Sequence, residues 1–255
     1  MSDVARLTSR VELDGGSDVV AVEEPLEIRV GGEPLAVTMR TPGHDEELAV
    51  GFLHGEGLIT AGAPLRAGLT DDLAANVVEV DATLTRDPGT RRFYTTSSCG
   101  VCGRGALDEV LLTAPDVGPR DTPHVPRALL ASLPERLRQP GFDATGGLHA
   151  TGLFDLAGEL LLVREDVGRH NAMDKVIGRV LLDGGLPLAD RVLCVSGRLS
   201  FELVQKAAMA GAPVLVGVSA PTSLAVSLAR ECGMTLAGFA RDGRVNVYAG
   251  AGRVT

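Results

Sequence analysis

Val192-Leu193-Cys194-Val195, Val214-Leu215-Val216-Gly217-Val218 and Thr235-Leu236-Ala237-Gly238-Phe239 are strand-length runs with little polar character on either face. Between them lie Phe201–Ala210 and Ser223–Glu231, whose apolar residues recur at helical spacing. A strand that is apolar on both faces cannot leave one of them in water, so its sheet must be covered by helices on both sides. Upstream, Glu159–Arg164 reads as a further strand and Asn171–Leu182 as a helix. That helix is expected to bury Met173, Val176, Ile177, Val180 and Leu181, leaving Asp174 and Lys175 on the opposite face. A final hairpin turns at Asp242-Gly243 into Val245-Asn246-Val247-Tyr248.

The first half reads differently. Leu26–Val30 and Leu35–Met39 flank Gly31-Gly32-Glu33 as a β-hairpin, and Glu46–His54 forms a helix with Leu48, Phe52 and Leu53 on one face. His44 and His54 are expected at the surface near the ends of that helix. Val77–Val80 and Arg92–Thr95 add strands, whereas residues 1–17 are polar and are expected to be frayed. Breaker-rich Ala114–Pro123 marks a linker, and a helix from about Pro126 to Gln139 stops at Pro140-Gly141. The expected fold class is thus α/β, with a small N-terminal α+β unit over residues 1–120 and a second α/β domain over 121–255. A chain of 255 residues that is 45% hydrophobic can bury the cores this requires, although without Trp they must be aliphatic.

A formal charge of −9 argues against general binding to nucleic acid or to anionic membranes, but leaves room for a local basic site. No apolar run approaches the roughly 20 residues of a membrane span. The N-terminus lacks the apolar core of a signal peptide, and four cysteines do not make a disulfide scaffold, so a cytoplasmic location is expected.

Two of those cysteines form Ser98-Cys99-Gly100-Val101-Cys102-Gly103, between a predicted strand and a predicted helix over Ala106–Leu112. Backbone N–H groups at a helix start, with Arg91, Arg92 and Arg104 nearby in sequence, favour a thiolate. Structural zinc usually needs four ligands, and this pair supplies two. Thiol–disulfide exchange and sulfur carriage through a persulfide both remain open, as does a pair of reduced loop cysteines without chemistry. Cys194 and Cys232 sit among apolar residues and read as core thiols.

In a covered sheet of this kind, ligands bind outside the carboxyl ends of the strands. Those ends carry Arg169 and His170, then Ser196-Gly197-Arg198, then Ser219. Guanidiniums, hydroxyls and turn N–H groups suit phosphates, although helix capping also explains the Ser and Thr residues. His149, beside Gly147, is a further candidate. Phe239-Ala240-Arg241-Asp242-Gly243-Arg244 offers a stacking ring, two guanidiniums, a carboxylate for a guanine edge and a Gly turn.

Met39-Arg40-Thr41-Pro42-Gly43, the Cys99/Cys102 motif, Glu165-Asp166-Val167-Gly168-Arg169-His170-Asn171-Ala172 with Asp174-Lys175, Ser196-Gly197-Arg198 and Gly238-Phe239-Ala240-Arg241 together resemble the FdhD family. The resemblance runs from about Val19 to Tyr248. It implies a sulfurtransferase that takes sulfur from a cysteine desulfurase onto Cys99, assisted by Cys102. The sulfur would pass to the molybdenum cofactor in its bis(molybdopterin guanine dinucleotide) form for the formate dehydrogenase catalytic subunit. It also implies that Phe239–Arg244 binds the guanine nucleotide of that cofactor, a homodimer, and a C-terminal three-layer α/β/α domain similar to cytidine deaminases. The deaminase zinc signature is missing, because His149 is followed at i+2 by Thr151 and Cys99/Cys102 precede it, so no metal is expected to be held by the protein itself. A non-catalytic cofactor chaperone and a thiol oxidoreductase are the alternatives.

Overall fold

A computed structural model describes residues 4–70, 76–86, 93–95, 114, 117 and 124–255. The cysteine motif, the helix expected over Ala106–Leu112 and most of the expected linker lie outside the described residues. Ala114 and Val117 are exceptions, and both pack on the core of the second half.

The first half builds a five-stranded sheet in the order β5-β6-β3-β4-β7, from β3 (Glu24–Val30), β4 (Glu33–Arg40), β5 (Leu65–Leu69), β6 (Val77–Ala82) and β7 (Phe93–Thr95). β3 and β4 are the expected hairpin, with Gly31 and Gly32 both at positive φ in its turn. Helix α2 (Asp45–Gly55) covers this sheet with Leu48, Ala49, Phe52 and Leu53, packed on Leu26, Ile28, Val78 and Val80. Residues 1–17, expected to be frayed, instead contain a one-turn helix α1 (Val4–Leu7) and strand β1 (Thr8–Leu13), paired antiparallel with β2 (Gly16–Ala21). The alternation of polar residues hid this hairpin, because most of its side chains face solvent.

The second half forms a six-stranded sheet, β13-β12-β11-β10-β8-β9. Its strands are β8 (His149–Phe154), β9 (Leu160–Asp166), β10 (Val192–Val195), β11 (Val214–Gly217), β12 (Thr235–Arg241) and β13 (Arg244–Ala249). β10, β11 and β12 are parallel, and β8 runs antiparallel to both β9 and β10. One face is covered by α5 (Arg169–Leu182), α6 (Phe201–Met209) and α7 (Ser223–Glu231), through Met173, Ile177, Val204, Ala208 and Leu228 on Leu193 and Leu215. The other face, with Val192, Cys194, Val214 and Val216, is covered by α3 (Arg127–Ser132) and the 3-10 turn Leu133–Arg136. The domain is a three-layer α/β/α sandwich, and the chain as a whole is mixed α/β.

The helix expected over Pro126–Gln139 is thus shorter, and Pro140 does not end it. Pro140 opens a separate helix, α4 (Pro140–Thr145), where a proline at the first turn loses no hydrogen bond.

The two halves meet where α2 crosses α5. The methyl group that an alanine would add at Gly51 would lie 1.9 Å from the Asp174 carbonyl oxygen, and one at Gly178 1.8 Å from that of Glu47. The helices can approach this closely only because both positions lack a side chain. This crossing also corrects the expected solvent face of α5: Asp174 and Lys175 are each 1% exposed. Asp174 faces Lys206 of α6 at 2.9 Å, and the Lys206 ammonium lies 5.6 Å from the Phe52 ring centre. Over Asn171–Gly178 the helix is clamped between two units and buried on every side, so the charged residues there are buried and paired. His54 is likewise buried rather than on the surface, with Nε2 3.1 Å from the Met209 carbonyl, while His44 is half-exposed as expected. Cys194 is fully buried, and burial pushes its thiol up. Cys232 is only half-buried, because it caps the end of α7; burial, then Glu231, pushes its thiol up to about 11.

Gly51→Ala is expected to force the crossing apart against backbone and to cost about 3 kcal/mol, measurable as a lower urea midpoint at unchanged m-value. An alanine variant as stable as the wild type would mean that the crossing has slack.

Candidate functional site

β9 ends at Asp166, which is completely buried. Its Oδ2 accepts from the Lys175 ammonium at 2.7 Å and from the Thr41 N–H at 3.1 Å. Its Oδ1 accepts from the Gly168 N–H at 2.8 Å and from the Asn171 amide at 3.0 Å. Lys175 also donates to the Thr41 carbonyl, Asn171 to the Met39 carbonyl, and the Val167 N–H to the Thr41 hydroxyl. Arg40, 2% exposed, clamps Asp45 at 2.9 and 3.0 Å and reaches Asn76. Met39–Thr41 and most of Glu165–Lys175 therefore join the two halves. What remains of the second motif, Arg169 and His170, begins α5 at the rim of this junction.

The register brings the other candidates to the same edge of the sheet. Val195 at the end of β10 is level with Gly217 of β11, while His149 at the start of antiparallel β8 lies opposite Asp166. Ser196-Gly197-Arg198 leaves the sheet there beside His149 and Arg169, Ser219 follows β11, and Phe239–Arg244 forms the end of β12 and its turn into β13, two strands further along the same edge from β10. Gly197 is the point of closest approach: a methyl there would stand 3.5 Å from His149 Nδ1 and 3.7 Å from Arg169 Cδ. Arg169 Nε is buried without a hydrogen-bond partner among the described residues. His170 Nε2 lies 3.2 Å from the Ser200 hydroxyl and 3.8 Å from Glu202. The Ser196 hydroxyl accepts from the Ala150 N–H at 2.9 Å, so it braces β8 while its own proton stays free to donate.

The Ser219 carbonyl accepts from the Phe239 N–H at 3.2 Å, and a methyl at Gly238 would lie 2.9 Å from that carbonyl. Phe239 holds φ at +53° and remains 38% exposed, a conformation a bulky side chain adopts only when its neighbours impose it. Asp242 and Gly243, both at positive φ, make the two-residue turn between Arg241 and Arg244. Arg241, Asp242, Gly243 and Arg244 are exposed, whereas Ala240 is fully buried against the α3 side of the sheet. Cys99 and Cys102 lie outside the described residues.

The electrostatics of the edge are cationic. Burial, then Arg169 and Arg198, push His149 down, with Asp166 opposing. Burial, then Arg198, also lowers Arg169. His170 is held down to about 4 by burial, then by Arg169 and Lys206, with Glu202 opposing. Ser200 and Glu202 carry no motif signal beyond opening α6, and only the fold brings them to His170. Half-buried cations repelling one another, with hydroxyls and a side-chain-free wall between them, can hold an oxyanion.

Fold and edge together define an α/β protein with a cationic edge at the carboxyl ends of its parallel strands. The chain belongs to the FdhD/NarQ family, whose profile matches residues 21–255. It is 56% identical to a Streptomyces coelicolor protein named sulfur carrier protein FdhD over 260 residues, covering 93% of this chain and 89% of the relative. A Mycobacterium tuberculosis protein of the same name is 49% identical over 254 residues, with 93% and 92% covered. The crystal structure of a Desulfotalea psychrophila protein, described as a candidate formate dehydrogenase accessory protein, superposes with a TM-score of 0.76 at 27% identity, covering 97% of this chain and 98% of that one. Among the described residues no helix is long and apolar enough to cross a membrane.

An unfolded imidazole titrates near 6.5, so between about pH 6.5 and 4 the unfolded chain binds a proton at His170 that the folded chain refuses. Stability is expected to be full above that window and to fall with pH through it. His170→Gln should flatten part of this slope in urea titrations; an unchanged slope would remove His170 from the account.

Proposed function

We propose that this protein carries sulfur for formate dehydrogenase maturation as a persulfide on Cys99. Membership of a family whose relatives are named sulfur carrier proteins carries the reading. The chain path supports it. β7 ends at Thr95, paired with Thr38, whose hydroxyl donates to Asn171 Oδ1 at 3.4 Å, and Cys99 follows four residues later. Four residues of extended chain span at most about 14 Å. The cysteine motif thus departs from the junction that also fixes Arg169 and His170.

In the first step, the Cys99 thiolate attacks the outer sulfur of a desulfurase persulfide. The old S–S bond breaks as the new one forms, and the desulfurase cysteine leaves as a thiolate, so the exchange needs no outside oxidant. Cys102, three residues on, assists release. The acceptor is the bis(molybdopterin guanine dinucleotide) molybdenum cofactor, bound as substrate. Arg169, His170, Ser196, Gly197, Arg198 and Ser219 receive its phosphates, and Phe239–Arg244 its guanine, with the Phe239 ring as a stacking surface and Asp242 accepting from the base edge.

After incubation with cysteine desulfurase and cysteine, the wild-type Cys99 peptide should gain about 32 Da, one sulfur atom, and Cys99→Ala should gain nothing. An unmodified wild-type peptide would favour the cofactor-chaperone reading, and a Cys99–Cys102 disulfide cycling with thioredoxin the oxidoreductase reading. For the second site, GDP is expected to bind more tightly than ADP, and Arg241→Ala, exposed in the hairpin, to weaken GDP without lowering the melting temperature. Equal, weak binding of both nucleotides would remove the hairpin from the site.

A further inference from the structure

His149 stands apart from the other groups at the cationic edge. Its ring makes no hydrogen bond among the described residues, and it shares with Arg169 the surroundings of buried Gly197, where an added methyl would stand 3.5 Å from His149 Nδ1 and 3.7 Å from Arg169 Cδ. His170 is occupied by comparison: Nε2 meets Ser200 and Glu202, and Lys206 lies behind it. Glu202 attracts Arg169 as well as His170 without forming an ion pair with Arg169 among the described residues, and Asp166, the carboxylate acting on His149, is already held by Lys175. Against Arg169, Arg198 and the two imidazoles this leaves, among the described residues, Glu202 alone to face outward, so the edge has positive charge to offer an anion.

We propose that His149 and Arg169, brought together beside Gly197, grip a phosphate of the bound nucleotide, with His149 taking one proton from solvent as the ligand enters. This deepens the nucleotide reading above and rests on it. The physical reason is a change of sign. In the empty site Arg169 and Arg198 face His149, with His170 nearby, and they oppose a further positive charge. A phosphate placed against Gly197 screens the two guanidiniums and presents oxygen atoms to Nδ1, and an imidazolium donates from both ring nitrogens where a neutral ring donates from one. Gly197 is needed for space rather than for conformation, because its φ is not positive and a methyl there would fill the contact distance to His149 and Arg169 and crowd a group bound between them.

The probe is diguanosine pyrophosphate, in which both phosphates are esterified so that the ligand itself does not titrate near neutrality. Calorimetry in buffers of different ionisation enthalpy should show the wild type taking up close to one proton per probe. Its affinity should fall by up to about tenfold as the pH rises by one unit from about 6.5. His149→Gln should bind without proton uptake and with a flat profile. Gly197→Ala, which the fold accommodates, should keep the wild-type melting temperature and lose at least about tenfold in affinity. Wild-type binding without proton uptake, or a His149→Gln slope equal to that of the wild type, would overturn the role of His149 while leaving the nucleotide site standing. A wild type that does not bind the probe at all would overturn the nucleotide reading and this inference together.

Discussion

The buried pair of Asp166 and Lys175 is the constraint on which the site depends. Two charges removed from water each cost several kcal/mol, and their attraction offsets that only when the remaining lone pairs and protons are satisfied. Here they are: both Asp166 oxygens accept twice, and Lys175 reaches the Thr41 carbonyl as well. Those partners come from the end of β4, the end of β9 and the first turns of α5. Slipping any one of these elements would strand a charge with no solvent to receive it. The pair therefore acts less as a source of stability than as a registration device, setting the first turn of α5 against the first half of the chain.

Arg169 and His170 inherit their positions from that registration. They sit immediately before Asn171, whose amide is held by Asp166 and Met39, so their backbone has little freedom. The Gly51 and Gly178 crossing works in the same direction from the other end of α5, since helices in contact through backbone cannot slide without collision. A protein with net charge −9 thereby maintains a cationic patch. Its carboxylates near the junction are engaged inward, Asp166 by Lys175, Asp174 by Lys206 and Glu47 by Arg164. Glu47 shows how strongly: burial would raise it, but bonds from His44 and Arg164 hold it down at about 2.

Much of this architecture was legible in the sequence where local pattern and tertiary outcome agree. The apolar runs at 192–195 and 214–217 became covered strands, the Asp242-Gly243 turn closed the last hairpin, and α6 and α7 fell where helical spacing placed them. Legibility failed where a charged or polar residue was buried by a partner distant in the chain. Asp174 and Lys175 have the appearance of a solvent face, because nothing within α5 reveals Lys206 or Thr41 on its other side. His54 was obscured in the same way by Met209, and the β1–β2 hairpin by its weak hydrophobic pattern.

The same failure bears on how motifs are to be weighed. Glu165–Lys175 is the most distinctive stretch of the chain, and its distinctiveness invites a catalytic assignment for every member. The structure divides it instead. Glu165 holds the N–H groups of Gly141 and Phe142 at the start of α4. Asp166, Asn171, Asp174 and Lys175 are turned into the junction between the halves. Arg169 and His170 remain half-buried at the sheet edge. A buried charge network demands residue identity as strictly as chemistry does, because each substitution leaves a partner unsatisfied in low dielectric. Residue identity within such a motif therefore separates into two roles only when the direction of each side chain is known, and here the direction leaves two residues at the sheet edge and turns most of the others to holding them in place.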